Sequence, residues 1–260
     1  MKKLIINADD FGLSEHTVEW TIRGFEYGAL TSATIMAGMP MTNIAIEYAK
    51  SHPQFSFGIH FYLVDEKPLS NPKDIPSMVD PRTGKLWTTR QFILRNFAGL
   101  VKVKDLKHEM KLQFLAVKNA GVNISHVDGH GHNHRLPQSI KALDELKDEL
   151  GFTKVRRCQD LAVADGKLGL LSRVINKSMQ HRLDKAGFKM TDHFLMNAGH
   201  TSNPYWFSKT LCSLPNGITE IGVHPGMDEE WRWIDTEDFI KNCEQLTSRL
   251  NIERISYHNI

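Results

Sequence analysis

The sequence is poor in the features that mark several broad protein classes. Only three cysteines occur, Cys158, Cys212 and Cys243, far apart and with no CxxC pair. An odd, scattered set excludes a disulfide framework and a thiolate metal site, leaving inert thiols as the expectation. No run approaches the ~20 apolar residues of a membrane-spanning helix. The opening MKKLIINADD has an apolar stretch of only three residues before Asn7, too short for a signal peptide, so the cytoplasm is the expected location. Neither charge sign dominates: 32 basic and 30 acidic residues give a net charge of +2. No strong field for nucleic acid or an anionic membrane follows. Internal repeats and low-complexity tracts are lacking too.

What is present is an ordinary globular composition, 41% hydrophobic and 24% charged over 260 residues. That length suits one α/β domain spanning 1–260. Short apolar runs alternate with helical periodicity. Strands are expected at Leu4–Asn7, Ser32–Ala37, Phe55–Leu63, Asn123–Val127, Lys154–Arg156, Asp192–Met196, Glu220–Val223 and Arg254–Tyr257. Between them, Thr17–Tyr27, Asn43–Ser51, Lys104–Ala120, Pro137–Leu150, Leu170–Ala186 and Thr236–Leu250 read as helices. Alternation of this kind predicts a parallel sheet with helices outside, and about eight strands predict an irregular, TIM-like (β/α) barrel. An open doubly wound sheet is the alternative. A loop insertion near 64–90, carrying Pro68, Pro72, Pro76, Pro81 and Gly84, breaks the rhythm and is expected to wall the site.

Four short segments carry the chemistry. In Asn7-Ala-Asp9-Asp10-Phe-Gly12, two adjacent carboxylates stand where the first strand should end, and strand C-termini face the active site in such folds. Neighbours on a strand face opposite ways, so a strand end or bulge is needed to aim both inward, at different targets. In Gly58-Ile-His60-Phe-Tyr62, a histidine interrupts an apolar strand. The densest segment is His126-Val-Asp128-Gly-His130-Gly-His132-Asn-His134, with four of the 13 histidines in nine positions. In an extended chain its even positions share one face. Imidazoles suit Zn²⁺ and other transition metals, and a carboxylate in the shell also admits Mg²⁺. Asp128 is the candidate partner for orienting a ligating histidine. In Glu220-Ile-Gly-Val-His224-Pro225-Gly226, a histidine again follows a β-type run. Trp87, Tyr62, Arg156 and Trp231 are candidate ligand-binding side chains, by ring stacking or hydrogen bonding.

Together, NADDFGLS at 7–14, GIHFYL at 58–63, HVDGHGHNH at 126–134 and EIGVHPG at 220–226 resemble the YdjC-like carbohydrate deacetylase family. That family includes chitooligosaccharide and hopanoid-pathway deacetylases. The resemblance implies an irregular (β/α) barrel and one divalent metal ion, Mg²⁺ or Zn²⁺. By position it assigns Asp10, His60 and His130 as ligands, Asp9 as general base and His224 as general acid. It leaves Asp128, His126, His132, Arg156, Tyr62 and Trp87 to orient these groups or to bind sugar. Many relatives carry Thr near Val64, and Ser with further histidines where this chain has Gly129 and Gly131; the ligand set survives both departures. The implied reaction removes an N-acetyl group from an amino sugar. The alternatives are a metallophosphoesterase or other amidohydrolase, and a non-catalytic sugar- or metal-binding protein. The expected partner is the amino-sugar substrate, with a homodimer as the candidate assembly and no nucleic acid.

Overall fold

The computed structural model describes residues 1–163, 166–196, 206–226 and 237–260. Seven strands pair in parallel throughout: β1 (Lys2–Phe11), β2 (Ser32–Ile35), β3 (Ser56–Phe61), β4 (Ile124–Gly129), β5 (His193–Met196), β6 (Gly217–Val223) and β7 (Ile252–Arg254). Their order is β4-β3-β2-β1-β6-β5, with β7 added beside the start of β1. The gap between β4 and β5 is spanned by an irregular segment. Arg156 N–H donates to Val127 O, Val155 N–H to Lys189 O, and the N–H groups of Asp160 and Leu161 to Phe194 O. The sheet therefore curls into the irregular barrel that the strand–helix alternation predicts, rather than the open sheet.

Eight α-helices stand among the described residues: α1 (Glu15–Glu26), α2 (Thr42–Ser51), α3 (Thr89–Phe97), α4 (Val103–Lys118), α5 (Pro137–Leu150), α6 (Leu170–Lys185), α7 (Trp206–Ser213) and α8 (Glu237–Arg249). Their ends follow local rules. Ser14 caps α1 by accepting from Thr17 N–H, Pro137 opens α5, and Gly151 ends it in the left-handed region. Sequence periodicity misses α3 and α7, which are only nine and eight residues long. The last strand lies at Ile252–Arg254, earlier than expected, and Tyr257 opens a short 3₁₀ turn instead.

Side-chain alternation divides the barrel into two environments. Leu4, Ile6, Ala8, Ala33, Ile35, Phe57, Ile59, Phe61, Val127, Ile221 and Val223 join the main hydrophobic core beneath the helices. The intervening positions, among them Asn7, Asp9, Ser32, Thr34, Ser56, His60, His126, Asp128 and Glu220, are buried polar residues. The inner side of this sheet is thus largely polar. Near its floor, His126 stacks on Tyr257 with ring centroids 3.6 Å apart and 7° between planes. Gly58 makes room for that stack: a Cβ there would sit 2.7 Å from His126 Nδ1 and 2.6 Å from His126 O.

The 64–90 insertion is packed rather than loose. Val64, Ile75, Met78, Val79 and Leu86 are buried, and two carboxylates of α4 cap its backbone. Glu109 accepts from the N–H groups of Leu69 and Ser70, and Asp105 from Ser77 N–H. All three cysteines are free, and burial pushes the Cys158 and Cys243 thiols up to about 11. No described helix is long and apolar enough to cross a membrane.

Two interior histidines make stability depend on pH. Burial pushes His126 down to about 3 and His134 down to about 4, from an ordinary 6.5. The unfolded chain takes up protons below pH 6.5 that the folded chain refuses, so their contribution is present above that pH and lost as pH falls. Each histidine should steepen the loss by at most about 1.4 kcal/mol per pH unit. Urea melts between pH 7 and pH 5 should show falling stability, and His126→Phe, which keeps a ring on Tyr257, should flatten the slope. An unchanged slope in that variant would remove His126 from the effect.

Candidate metal centre

The two aspartates of β1 reach the same interior through a bulge. Ala8 pairs with Ala33 and Phe11 with Ile35, so Asp9 and Asp10 together oppose the single residue Thr34. Asp10 has φ 59°, a left-handed conformation uncommon for a non-glycine residue. The strand runs on through Phe11 rather than ending at Asn7, and this kink does what a strand end would have done.

Asp10, His60 and His130 come together at the C-terminal ends of β1, β3 and β4, with ligand atoms within 4.8 Å of one another. Asp10 Oδ1 lies 2.9 Å from His130 Nδ1 and 3.1 Å from His60 Nε2. Asp10 and His60 are buried, while His130 is partly exposed. Asp128 sits across from His60 in the β3–β4 register, and its Oδ1 lies 2.7 Å from His60 Nδ1. An ionised carboxylate only accepts, so Nδ1 carries the proton in that contact. Nε2, the other ring nitrogen, is then turned towards Asp10. His60 Nε2 and Asp10 Oδ2 are both buried without a hydrogen-bond partner. Orphaned buried polar atoms are costly, and a cation held here, taking the place of a proton on His60, would satisfy both.

Beneath this cluster lies Arg156, with no exposed surface. Its Nη1 and Nη2 donate to Asp9 Oδ2 and Oδ1, both at 2.6 Å. Nη1 also lies 2.7 Å from Asp128 Oδ2, and Nε donates to Glu220 Oε1 at 2.8 Å. Glu220 Oε2 accepts from the Tyr257 hydroxyl at 2.5 Å. Asn7 Nδ2 donates to Asp9 Oδ1 and to Thr34 Oγ1, and Thr34 Oγ1 donates on to Asp128. His224 follows β6, with Nε2 4.0 Å from Asp9 Oδ2. Its loop is held close to α1: Gly226 has φ 77°, and a Cβ there would lie 2.6 Å from His16 O.

The electrostatics follow from this crowding. Burial alone would raise Asp9, but the Arg156 guanidinium overrides it and holds the carboxyl well below the usual range. Burial is likewise outweighed at Asp10, which His130 and His60 hold low, and at Asp128, where Arg156 and His60 do so. His60 is driven well above its ordinary value, against burial, by Asp128 and Asp10. Glu220 goes the other way: burial pushes it up to about 7 against the pull of Arg156. Asp9, Asp10 and Asp128 thus favour the charged form, against the Arg156 guanidinium and His60, and the local surplus is negative.

The extended-chain reading of 126–134 holds only to Gly129. From His130 the chain enters a 3₁₀ turn, with Gly131 at φ 58° and His132 at φ 55°. The single face of histidines therefore does not form, because the backbone reverses its hand after the strand. His130 alone joins the cluster. His126 stays on the barrel floor, with its Nδ1 on Ser125 Oγ. His132 packs edge-on to Phe194, and His134 Nε2 lies 3.2 Å from Arg156 O. Arg156 offers a sugar no surface and works within the protein. Tyr62 is buried, with its backbone bonded to Gln113. Trp87 donates to Ser77 O and lies under the Arg95 guanidinium at 4.2 Å. Trp231 lies outside the described residues. Asn7, Thr34, Glu220 and Tyr257 were not singled out as site residues. A polar residue at each interior position of an otherwise apolar strand is the signal that could have found the first three.

Comparison with known proteins places the chain in a family. A carbohydrate deacetylase of Thermoanaerobacter pseudethanolicus is 29% identical over 235 residues, covering 88% of this chain and 84% of that protein. One of Listeria monocytogenes is 28% identical over 250 residues, covering 95% and 92%. A solved Enterococcus faecalis protein, provisionally described as a cellobiose-phosphate cleavage protein, superposes with a TM-score of 0.75 over 99% of this chain and 98% of its own. At 20% identity that likeness speaks to the fold. The model of the YdjC-like protein family matches residues 3–255, and the chain belongs to that family.

Proposed function

We propose that this chain is a metal-dependent hydrolase that removes the N-acetyl group from an amino sugar. The observation that carries the reading is the Asp10–His60–His130 cluster, with two orphaned ligand atoms, beside an ionised Asp9 and His224. Full-length relatives named carbohydrate deacetylase support the reaction class. Asp10, His60 and His130 would hold one divalent ion, and the surplus of buried negative charge favours it. The donor set suits Zn²⁺ through its imidazoles and admits Mg²⁺ through its carboxylate. Such an ion supplies Lewis acidity, polarising a carbonyl oxygen and acidifying water.

The chain's own groups do the proton work. Arg156 and Asn7 leave Asp9 one orientation and keep it ionised. That arrangement limits its base strength, so Asp9 accepts a proton from attacking water only in passing. His224, 4.0 Å away and partly exposed, is placed to protonate the departing sugar nitrogen. Tyr62 and the 64–90 loop leave β3 just past His60, and we place the sugar on that side. A two-ion phosphoesterase is disfavoured by a specific contact. The second group able to hold a metal, Asp9, His60 and Asp128, already has Arg156 Nη1 2.6 Å and 2.7 Å from its two carboxylates.

The purified chain, stripped by chelator, should release acetate from N-acetylglucosamine oligosaccharides or glycolipids only after Mg²⁺ or Zn²⁺ is restored. Metal uptake with no acetate from any N-acetyl sugar would leave a binding protein instead. Asp9→Asn should keep one ion per chain while turnover falls by about 10²–10⁴-fold, the range for a general acid–base group. Wild-type acetate release in that variant would take Asp9 out of the mechanism.

A further inference from the structure

A cavity lies apart from the metal centre, between the segment that follows Arg156 and helix α6. Its volume is about 380 Å³, and none of its lining residues belongs to the metal centre. Arg157, Arg173, Lys177 and His181 line it, with Asn176 and Gln180. Its volume falls within the range of small-molecule sites, about 300–1,000 Å³.

The polar groups of this cavity divide into spent and unspent. Asn176 donates to Gln159 O and accepts from Arg135, while Gln180 accepts from Cys158 N–H and donates to Asp184. Those amides are committed to holding the walls. The cavity's two carboxylates are engaged as well: Asp184 by Gln180, and Asp160 by His193 and the backbone N–H of Phe194. By contrast, the side chains of Arg173, Lys177 and His181 make no hydrogen bond or ion pair among the described residues. Arg157 is partly spent: its Nη1 donates to Thr191 O at 3.3 Å, while Nε, without a hydrogen-bond partner, lies 3.7 Å from Asp160. Arg173, Lys177 and His181 recur every four residues, so they share one face of α6. Like charges at that spacing repel, and among the described residues the two carboxylates of the lining, Asp160 and Asp184, form no ion pair with Arg173, Lys177 or His181 and offset them only in part.

We infer that this cavity binds a phosphate group, carried by a small molecule such as a sugar phosphate. Arginine offers a planar fork and lysine a compact point charge, both suited to phosphate oxygens. The cavity exceeds what a bare ion needs, so the carrier should add contacts. The site is independent of the proposed deacetylation. It lies one residue from Arg156, the side chain that orients Asp9, so occupancy has a short route to the metal centre.

Calorimetry on the chelator-treated full chain tests this with two probes, inorganic phosphate and glucosamine 6-phosphate. The metal-free state keeps phosphate from reporting on an ion in the catalytic centre. Both probes should bind, the sugar phosphate at least tenfold more tightly. The double variant Arg173→Ala/Lys177→Ala should weaken both at least tenfold, and Lys177→Glu should do the same. All these positions face solvent on α6, and an unchanged melting temperature would confirm that the variants are folded. No binding of either probe, or equal binding to wild type and both folded variants, would overturn the assignment. Binding of inorganic phosphate with no gain from the sugar would overturn the carrier.

Discussion

The guanidinium of Arg156 is the interaction on which the rest of this interior depends. Removing a charge from water costs several kcal/mol even after relaxation, and three carboxylates share the interior with it. Asp9, Asp128 and Glu220 each take part of the fork, at 2.6–2.8 Å. Removing any one partner would leave charge buried without compensation. The backbone that carries Arg156 also spans the gap between β4 and β5, through Val127, Lys189 and Phe194. One short segment therefore curls the barrel and organises its polar interior.

That interior also explains how two adjacent aspartates meet different partners. Arg156 holds Asp9 through both oxygens, while the β1 bulge and positive φ of Asp10 turn it to the two histidines. Asp128 serves both layers, facing His60 above and Arg156 beside it. The floor of Glu220, Tyr257 and His126 supports the arginine from below. The proposed metal ligands and their supports are thus stacked along the barrel axis, each layer built from inward positions of several strands.

Much of the strand–helix order was legible in the sequence because periodicity depends only on local spacing. The barrel class followed as well, whereas the set Asp10, His60 and His130 came from the resemblance of the four motifs to a known family; the strand-end interruptions alone left Asp9 against Asp10, and the four clustered histidines, open. The short helices α3 and α7 were not legible, because two turns give too few repeats of an apolar face. The path of 130–134 was missed for a different reason. Alternation was carried past Gly129, whereas Gly131 and His132 adopt left-handed backbone that no count of histidines reveals. Arg156 read as a surface for sugar because its burial depends on partners at positions 9, 128 and 220, which sequence spacing cannot bring together. Tyr257 was hidden likewise, since its partners Glu220 and His126 are joined to it only by closure of the sheet.

Anomalous diffraction from crystals grown with Zn²⁺ addresses the central claim most directly. One peak per chain is expected, in contact with Asp10, His60 and His130, with the Arg156 guanidinium still between Asp9 and Asp128. A peak lodged between Asp9 and Asp128 with the arginine displaced, or two ions in the barrel mouth, would contradict the account.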